Sequence, residues 1–306
     1  MAVAMETGQF AAHHVTKLLE RLAFQIGSVR HAHDAEAVHD LRVAIRRFTQ
    51  ALVVFQPCFA PKEVKRIRRR LKDTMALAGQ VRDCDIALKY LSELRSPEAA
   101  ALREEFQSRR HEANGALLAA LKRWVLRKTS SKWRDGLEAI RDADGFCHRQ
   151  IDDTAHRELP RIARGFFKCG NRAADAKASA EELHQFRIAA KKFRYTLELF
   201  APFYGPAAND WLERITGVQT LLGRINDCRT VRTMVSRMGE NGRIEASLKK
   251  RQRRRTDEFR QLWAEQFSSS NGAKEWMQAL RCPPRKPMAK ATPGAKPGEL
   301  RFAAAR

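Results

Sequence analysis

His39, Arg42 and Arg46 stand three and four residues apart, and His184, Arg187 and Lys191 repeat that spacing 145 positions later. On a helix, residues three and four apart share a face, so each trio forms a row of cations about 10 Å long. Arginine offers a planar fork of donors to phosphate-type oxygens, lysine a compact charge, and a protonated histidine ring a further donor. The chemistry such a row suits is noncovalent: it can cradle a chain of anionic groups better than a single ion. A histidine beside arginines has its proton disfavoured, and a bound polyanion reverses this. Affinity is therefore expected to fall as pH rises through the bound-state histidine pKa.

The rows belong to a longer repeat. Val38-His39-Asp40-Leu41-Arg42-Val43-Ala44-Ile45-Arg46-Arg47-Phe48 returns as Leu183-His184-Gln185-Phe186-Arg187-Ile188-Ala189-Ala190-Lys191-Lys192-Phe193. Leu41, Ile45, Phe48, Leu52 and Phe55 fall within about 80° of one another at helical pitch, a narrow face that enters a core. Phe186, Ala190, Phe193, Leu197 and Phe200 form the same face in the second copy, with the cations turned away from it in both. Arg47 corresponds to Lys192, and Arg70 to Arg214.

A second block, Leu77-Ala78-Gly79-Gln80-Val81-Arg82-Asp83-Cys84, returns 144 positions later as Leu221-Leu222-Gly223-Arg224-Ile225-Asn226-Asp227-Cys228. Glycine after an apolar run, with Asp shortly behind, reads as a C-cap followed by a new N-cap. Gly79 to Asp83 and Gly223 to Asp227 are therefore expected to be inter-helix corners capped by Asp83 and Asp227. Cys84 and Cys228 read as small packing residues.

The elements that must position these rows are helices. Strand-type alternation is nearly absent, and apolar residues recur at three and four among Ala, Leu, Arg, Lys and Glu. The pattern predicts helices near 9–29, 35–56, 61–79, 82–95 and 98–127, with counterparts near 148–168, 180–201, 207–223, 227–238 and 242–267. Pro57 and Pro61 are expected to separate the second and third helices, and Pro202 and Pro206 to do so in the second copy. The fold class is all-α, with one copy over about 8–144 and the other over about 145–281. Residues 282–306, rich in Pro, Lys and Ala, read as a disordered tail.

Lys and Arg number 58 against 35 Asp and Glu, a formal charge of +23. So large an excess repels itself unless an anionic partner offsets it. Much of it crowds Lys65 to Lys72 and Lys249 to Arg255, where a solvated helix face is the plain explanation. The six cysteines include no C-x-x-C pair, so neither a zinc site nor a disulfide framework is signalled. No signal peptide or membrane span is evident, and a cytoplasmic location is expected. His13 and His14, with His31 and His33, lack repeat equivalents and read as surface residues. No metal-ligand spacing stands out, and no cofactor is implied.

The V-H-D-L-R-V-x-x-R-R and L-H-x-F-R-x-x-x-K-K-F-R-Y helices, each followed by a block ending Arg82-Asp83 or Asn226-Asp227, resemble the CHAD family, the conserved histidine α-helical domains. The resemblance spans roughly residues 8–281. It implies two four-helix bundles related by a pseudo-twofold axis, with a basic groove between them that binds inorganic polyphosphate, and association with polyphosphate granules. It implies that His39, Arg42, Arg46, Arg47, His184, Arg187, Lys191, Lys192 and Arg194 line that groove. Arg70 and Arg214, which correspond in the repeat, and Arg82 of the second block join the expected polyphosphate-binding set. Thr49 stands opposite Arg194, so the first copy is expected to hold its stretch of polymer less firmly. The Glu-x-Glu-x-Lys signature of the triphosphate-tunnel domain carried by many relatives is missing, which points to a binding module without its own phosphatase. His39 also resembles the phospho-accepting histidine of a sensor kinase, but the acid that follows it becomes Gln185 in the second copy. Sequence-neutral nucleic-acid binding is the stronger alternative, because any cationic groove gains affinity from counterion release.

Overall fold

The computed structural model describes residues 5–32, 34–138, 140–141, 145–239, 241–268 and 272–281. Among these residues the chain forms α1 (Thr7–Ala32), α2 (Ala35–Val54), α3 (Pro61–Ser92), α4 (Pro97–Leu126), α5 (Thr129–Glu138), α6 (Ile151–Ala174), α7 (Ala180–Tyr204), α8 (Ala207–Val235), α9 (Gly242–Phe267) and α10 (Gly272–Arg281). The described part is all-α, with a lone antiparallel bridge from Glu6 to Gln150 tying the starts of the two halves together. The tail at 282–306, together with His33, lies outside the described residues.

Each half has four long helices and a short fifth. α1 packs on α2, α2 on α3 and α3 on α4, and α6 to α9 repeat the order. The bundles meet where α2 lies against α7 and α3 against α8. The helices that carry the cationic rows have defined starts. The Asp34 carboxylate accepts from the Ala37 amide at 2.6 Å, and Ser179 with Glu182 forms a reciprocal capping box. Caps of this kind contribute about 1 kcal/mol each.

The predicted apolar faces are the buried ones. Leu41, Phe48, Leu52 and Phe55 are fully enclosed, as are Phe186, Ala190, Phe193, Leu197 and Phe200. In the second bundle Phe166 lies 5.1 Å from the Phe193 ring and 5.4 Å from Trp263, an aromatic centre around which α6, α7 and α9 pack. A second apolar cluster clasps the bundles at the far ends of α3 and α8. It joins Tyr90, Leu91, Leu102 and Phe106 to Val231, Val235, Ile244 and Leu248. There the Tyr90 hydroxyl bonds Ser247 at 2.9 Å, and Arg251 pairs with Glu93 at 2.7 Å.

The structure corrects the sequence reading in four places. The corners at Gly79–Asp83 and Gly223–Asp227 do not exist: α3 and α8 run straight through them. Gly79 has a different reason to be glycine, since a Cβ there would lie 3.0 Å from Arg42 Nη1. Pro202 does not stop its helix but sits inside the last turn of α7, which ends at Gly205 with φ of 58°, a backbone setting that glycine adopts without strain. α5 and α10 were not foreseen, being only ten residues each. His14 is half-buried, stacked on Phe10 at 5.0 Å; burial, with His13 and Lys17 nearby, pulls its pKa down to about 4.

Candidate functional site

The seam between α2 and α7 is built from residues of both copies. Arg46 Nε donates to the Tyr195 hydroxyl at 2.8 Å, and Gln50 Nε2 donates to Thr196 Oγ1 at 2.9 Å. Arg47 Nε donates to Glu198 at 2.8 Å, and Arg194 Nε donates to the other oxygen of the same carboxylate at 2.9 Å. Arg194 also reaches Gln219 on α8 at 3.2 Å, and Gln219 in turn donates to the Ala190 carbonyl at 2.7 Å. These bonds fix how the two row-bearing helices face each other.

Alongside this seam the remaining cations converge. Arg42 donates weakly to the Met75 carbonyl at 3.4 Å, in the space left open by Gly79. Burial, then the charge of Arg46, lowers its pKa to about 10, against the pull of Asp83. Lys191 is brought to about 6 by burial and by Arg187, Arg46 and Arg42, so at neutral pH its amine is mostly uncharged. Arg187 is pushed down by burial and by Arg46, and its Nε is buried without a hydrogen-bond partner. His39 is pushed down by burial and then by Arg82 and Arg46.

Two carboxylates share the cluster. Burial lifts Asp83 above the ordinary carboxylate range although Arg42, Arg187 and Arg82 pull the other way. Burial lifts Asp227 too, with Arg187, Arg82 and Lys191 opposing and Asp83 adding to the rise. In every one of these groups the shift runs against the charged form, as expected when cations are gathered in partial burial without enough counter-charge. Residues of both halves feel one another here: Arg42 acts on Lys191, Arg46 on Arg187, and Arg82 on Asp227. The rows therefore form one electrostatic cluster and not two separate patches.

The expected site residues divide into three groups. His39, Arg42, Arg46, Arg82, Arg187 and Lys191 are brought together. Arg47 and Arg194 are engaged by Glu198, while Lys192 is half-buried on the same helix as Arg194. His184 lines a crevice of about 10 Å³ between α7, α8 and α9, beside Arg187 and Arg229. Arg70 is half-buried on α3 and Arg214 exposed on α8, and neither shares a hydrogen bond with the cluster.

Sequence reasoning passed over Asp83 and Asp227 as corner caps, although both recur at the repeat spacing beside Arg82 and Asn226. The repeat pattern does not single out Tyr195, whose hydroxyl accepts from Arg46, or Glu198, which replaces Val53 of the first copy. Arg194 was expected to strengthen the second copy. Its guanidinium is held by Glu198 instead, which offsets the extra charge. Among the described residues, no group of three or more His, Cys, Asp or Glu side chains could hold a metal ion. Among them, too, no helix is long and apolar enough to cross a membrane.

Solved structures of similar fold are known. The CHAD domain from the plant Ricinus communis superposes with a TM-score of 0.64 at 20% identity, covering 92% of this chain and 95% of that one. PptA from Streptomyces chartreusis gives a TM-score of 0.65 at 16% identity, covering 84% and 99%. No curated protein matches the sequence. The CHAD-domain family model matches residues 13–236, the span that holds α2, α3, α7 and α8 with every residue of the cationic cluster, and the chain belongs to the CHAD-domain family.

Proposed function

We propose that this protein binds inorganic polyphosphate noncovalently, in the groove where α2 and α3 of one bundle meet α7 and α8 of the other. The family's link to polyphosphate supports this reading. The observation that carries it is the cluster itself: Arg42, Arg46, Arg82, Arg187 and Lys191, from both copies, gather around Asp83 and Asp227, with Glu36 and Asp40 acting on His39 at its edge. A polymer of closely spaced phosphates supplies counter-charge along the whole row, which a single phosphate ion does not.

In this reading Arg42, Arg46 and Arg187 are the principal clamps. Their donors are only partly used within the protein: Arg42 by one long bond to a carbonyl, Arg46 by a tyrosine hydroxyl, and Arg187 with its Nε unmatched. His39 and Lys191 are uncharged or weakly charged near neutrality and take up protons as the polyanion enters. The proposed role is binding without turnover, and association with polyphosphate granules would follow from it.

The test is competition. Labelled long-chain polyphosphate is bound to the full chain at about 150 mM salt and challenged with duplex DNA and single-stranded RNA at matched phosphate concentration. Polyphosphate is expected to hold against both. Displacement by nucleic acid at parity would instead make this groove a general polyanion site.

A further inference from the structure

The short 3-10 turn that follows α2 and the segment leading into α6 bring two cysteines together. Cys147 Sγ lies 2.8 Å from Cys58 Sγ, and the residues are 2% and 0% exposed. Ordinary nonbonded contacts between carbon atoms run about 3.5–4.0 Å, and sulfur is larger, so this pair is already closer than packing alone requires. A disulfide needs about 2.05 Å between sulfurs, a further approach of about 0.8 Å.

The backbone around the pair is fixed from several directions. The Gly8 amide donates to the Cys147 carbonyl at 2.9 Å, and the Arg141 amide donates to the Cys58 carbonyl at 3.0 Å. A Cβ on Gly8 would come within 3.0 Å of Cys147 Cβ, so α1 also presses on this corner. A crevice of about 600 Å³ runs beside it, lined by Pro57, Phe59, Arg141 and Phe146, the immediate neighbours of both cysteines. Neither cysteine lines that crevice, so a small oxidant reaches the sulfurs through local opening of this corner. The other described cysteines are Cys84, Cys169 and Cys228.

We propose that Cys58 and Cys147 are a reversible redox pair that closes into a disulfide when the protein meets hydrogen peroxide. In the first step the Cys147 thiolate attacks one peroxide oxygen; the O–O bond breaks, sulfenic acid forms, and the other oxygen leaves as water after taking up the thiol proton. In the second, Cys58 Sγ attacks the sulfenic sulfur, the S–O bond breaks, and hydroxide leaves with the Cys58 proton as another water. Two thiols and one peroxide give one disulfide and two waters. The crosslink would enclose α3, α4 and α5 in a covalent loop, because those helices lie between the two cysteines. Its consequence is a more constrained unfolded chain and a harder first bundle, independent of whether the groove binds polyphosphate.

The full chain is treated with hydrogen peroxide, denatured, alkylated, digested and analysed by mass spectrometry, and its thermal unfolding is followed before and after oxidation. The expected result is one linked peptide pair containing Cys58 and Cys147, two hydrogens lighter than the separate thiols and restored by a thiol reductant. The midpoint of unfolding should rise by about 5–10 °C. Cys147→Ser should abolish both the link and the rise. Recovery of Cys58 and Cys147 as alkylated thiols from oxidised wild type overturns the proposal, as does either one joined to a different cysteine.

Discussion

The row on α2 and the row on α7 are nearly the same in sequence and unequal in surroundings. On α2, His39, Arg42 and Arg46 all enter the cluster, and Gly79 on the facing helix leaves room for the Arg42 guanidinium. On α7 only Arg187 and Lys191 enter it, while His184 sits in a side crevice. The second copy also brings Glu198, which occupies Arg47 and Arg194 together. Duplication supplies the cations, and the single acidic substitution at the Val53 counterpart decides which of them remain available. The lesson is that counting basic residues overstates a polyanion site, because charge already paired to a carboxylate within hydrogen-bond reach contributes less to a ligand.

This inequality makes the largest prediction. Replacing His39, Arg42 and Arg46 together by alanine should weaken polyphosphate binding at least about 100-fold, since each charge-assisted contact is worth roughly 1.5–3 kcal/mol. The matching change of His184, Arg187 and Lys191 should cost only about 10-fold, because His184 stands apart and Lys191 must first take up a proton before it can hold phosphate. Calorimetric titration of both folded variants checks this, and equal losses would erase the distinction between the rows.

Freeing the paired arginines works in the opposite direction. Glu198→Gln should raise affinity by roughly 3–10-fold while lowering stability by about 1–2 kcal/mol, read by binding and by denaturant unfolding. Asp83→Asn and Asp227→Asn should each strengthen binding by a smaller factor, about 3-fold, by removing carboxylates that compete with phosphate.

The pH dependence follows from Lys191 and His39, whose pKa values are lowered in the free protein. A bound polyanion raises them, so binding takes up protons between the free and bound values. For Lys191 that window opens near pH 6, and affinity should fall as pH rises through it; below the free value the group is charged in both states and contributes no slope. The sign for folding is opposite. Lys191 binds its proton more weakly in the folded chain than in the unfolded one, so the ligand-free protein should gain stability as pH rises from about 6. Titrations across pH 6 to 8, with and without Lys191→Met, separate these contributions.

The smallest predicted effect contrasts two glycines. Gly223→Ala adds a methyl group with nothing within 4 Å and should stabilise α8 by about 1 kcal/mol, the ordinary helical preference for alanine. Gly79→Ala meets Arg42 Nη1 and should give less stability and a roughly twofold weaker affinity, because a flexible guanidinium can move aside only by leaving its place.

Much of this arrangement was legible in the sequence because helical periodicity and an internal repeat report on burial and facing directly. The Phe48 and Phe193 stripes and the opposed cations needed no tertiary information. What failed were signals with two meanings. Glycine followed by aspartate marks a helix corner in isolation, but at Gly79 it marks close passage of a side chain from another helix. Pro202 is tolerated because it falls in the final turn of α7, where the chain is about to end at Gly205. Glu198 was hidden for another reason: its partners Arg47 and Arg194 come from two helices, and no local pattern predicts that meeting.

The most direct measurement is a titration of the full chain with polyphosphates of increasing length, recording stoichiometry together with affinity. A single groove shared by both copies predicts one chain per protein and affinity that climbs with length until the chain spans both rows. Two short chains bound independently to each protein, with no gain as length increases, would show that the rows are separate sites and contradict the shared groove.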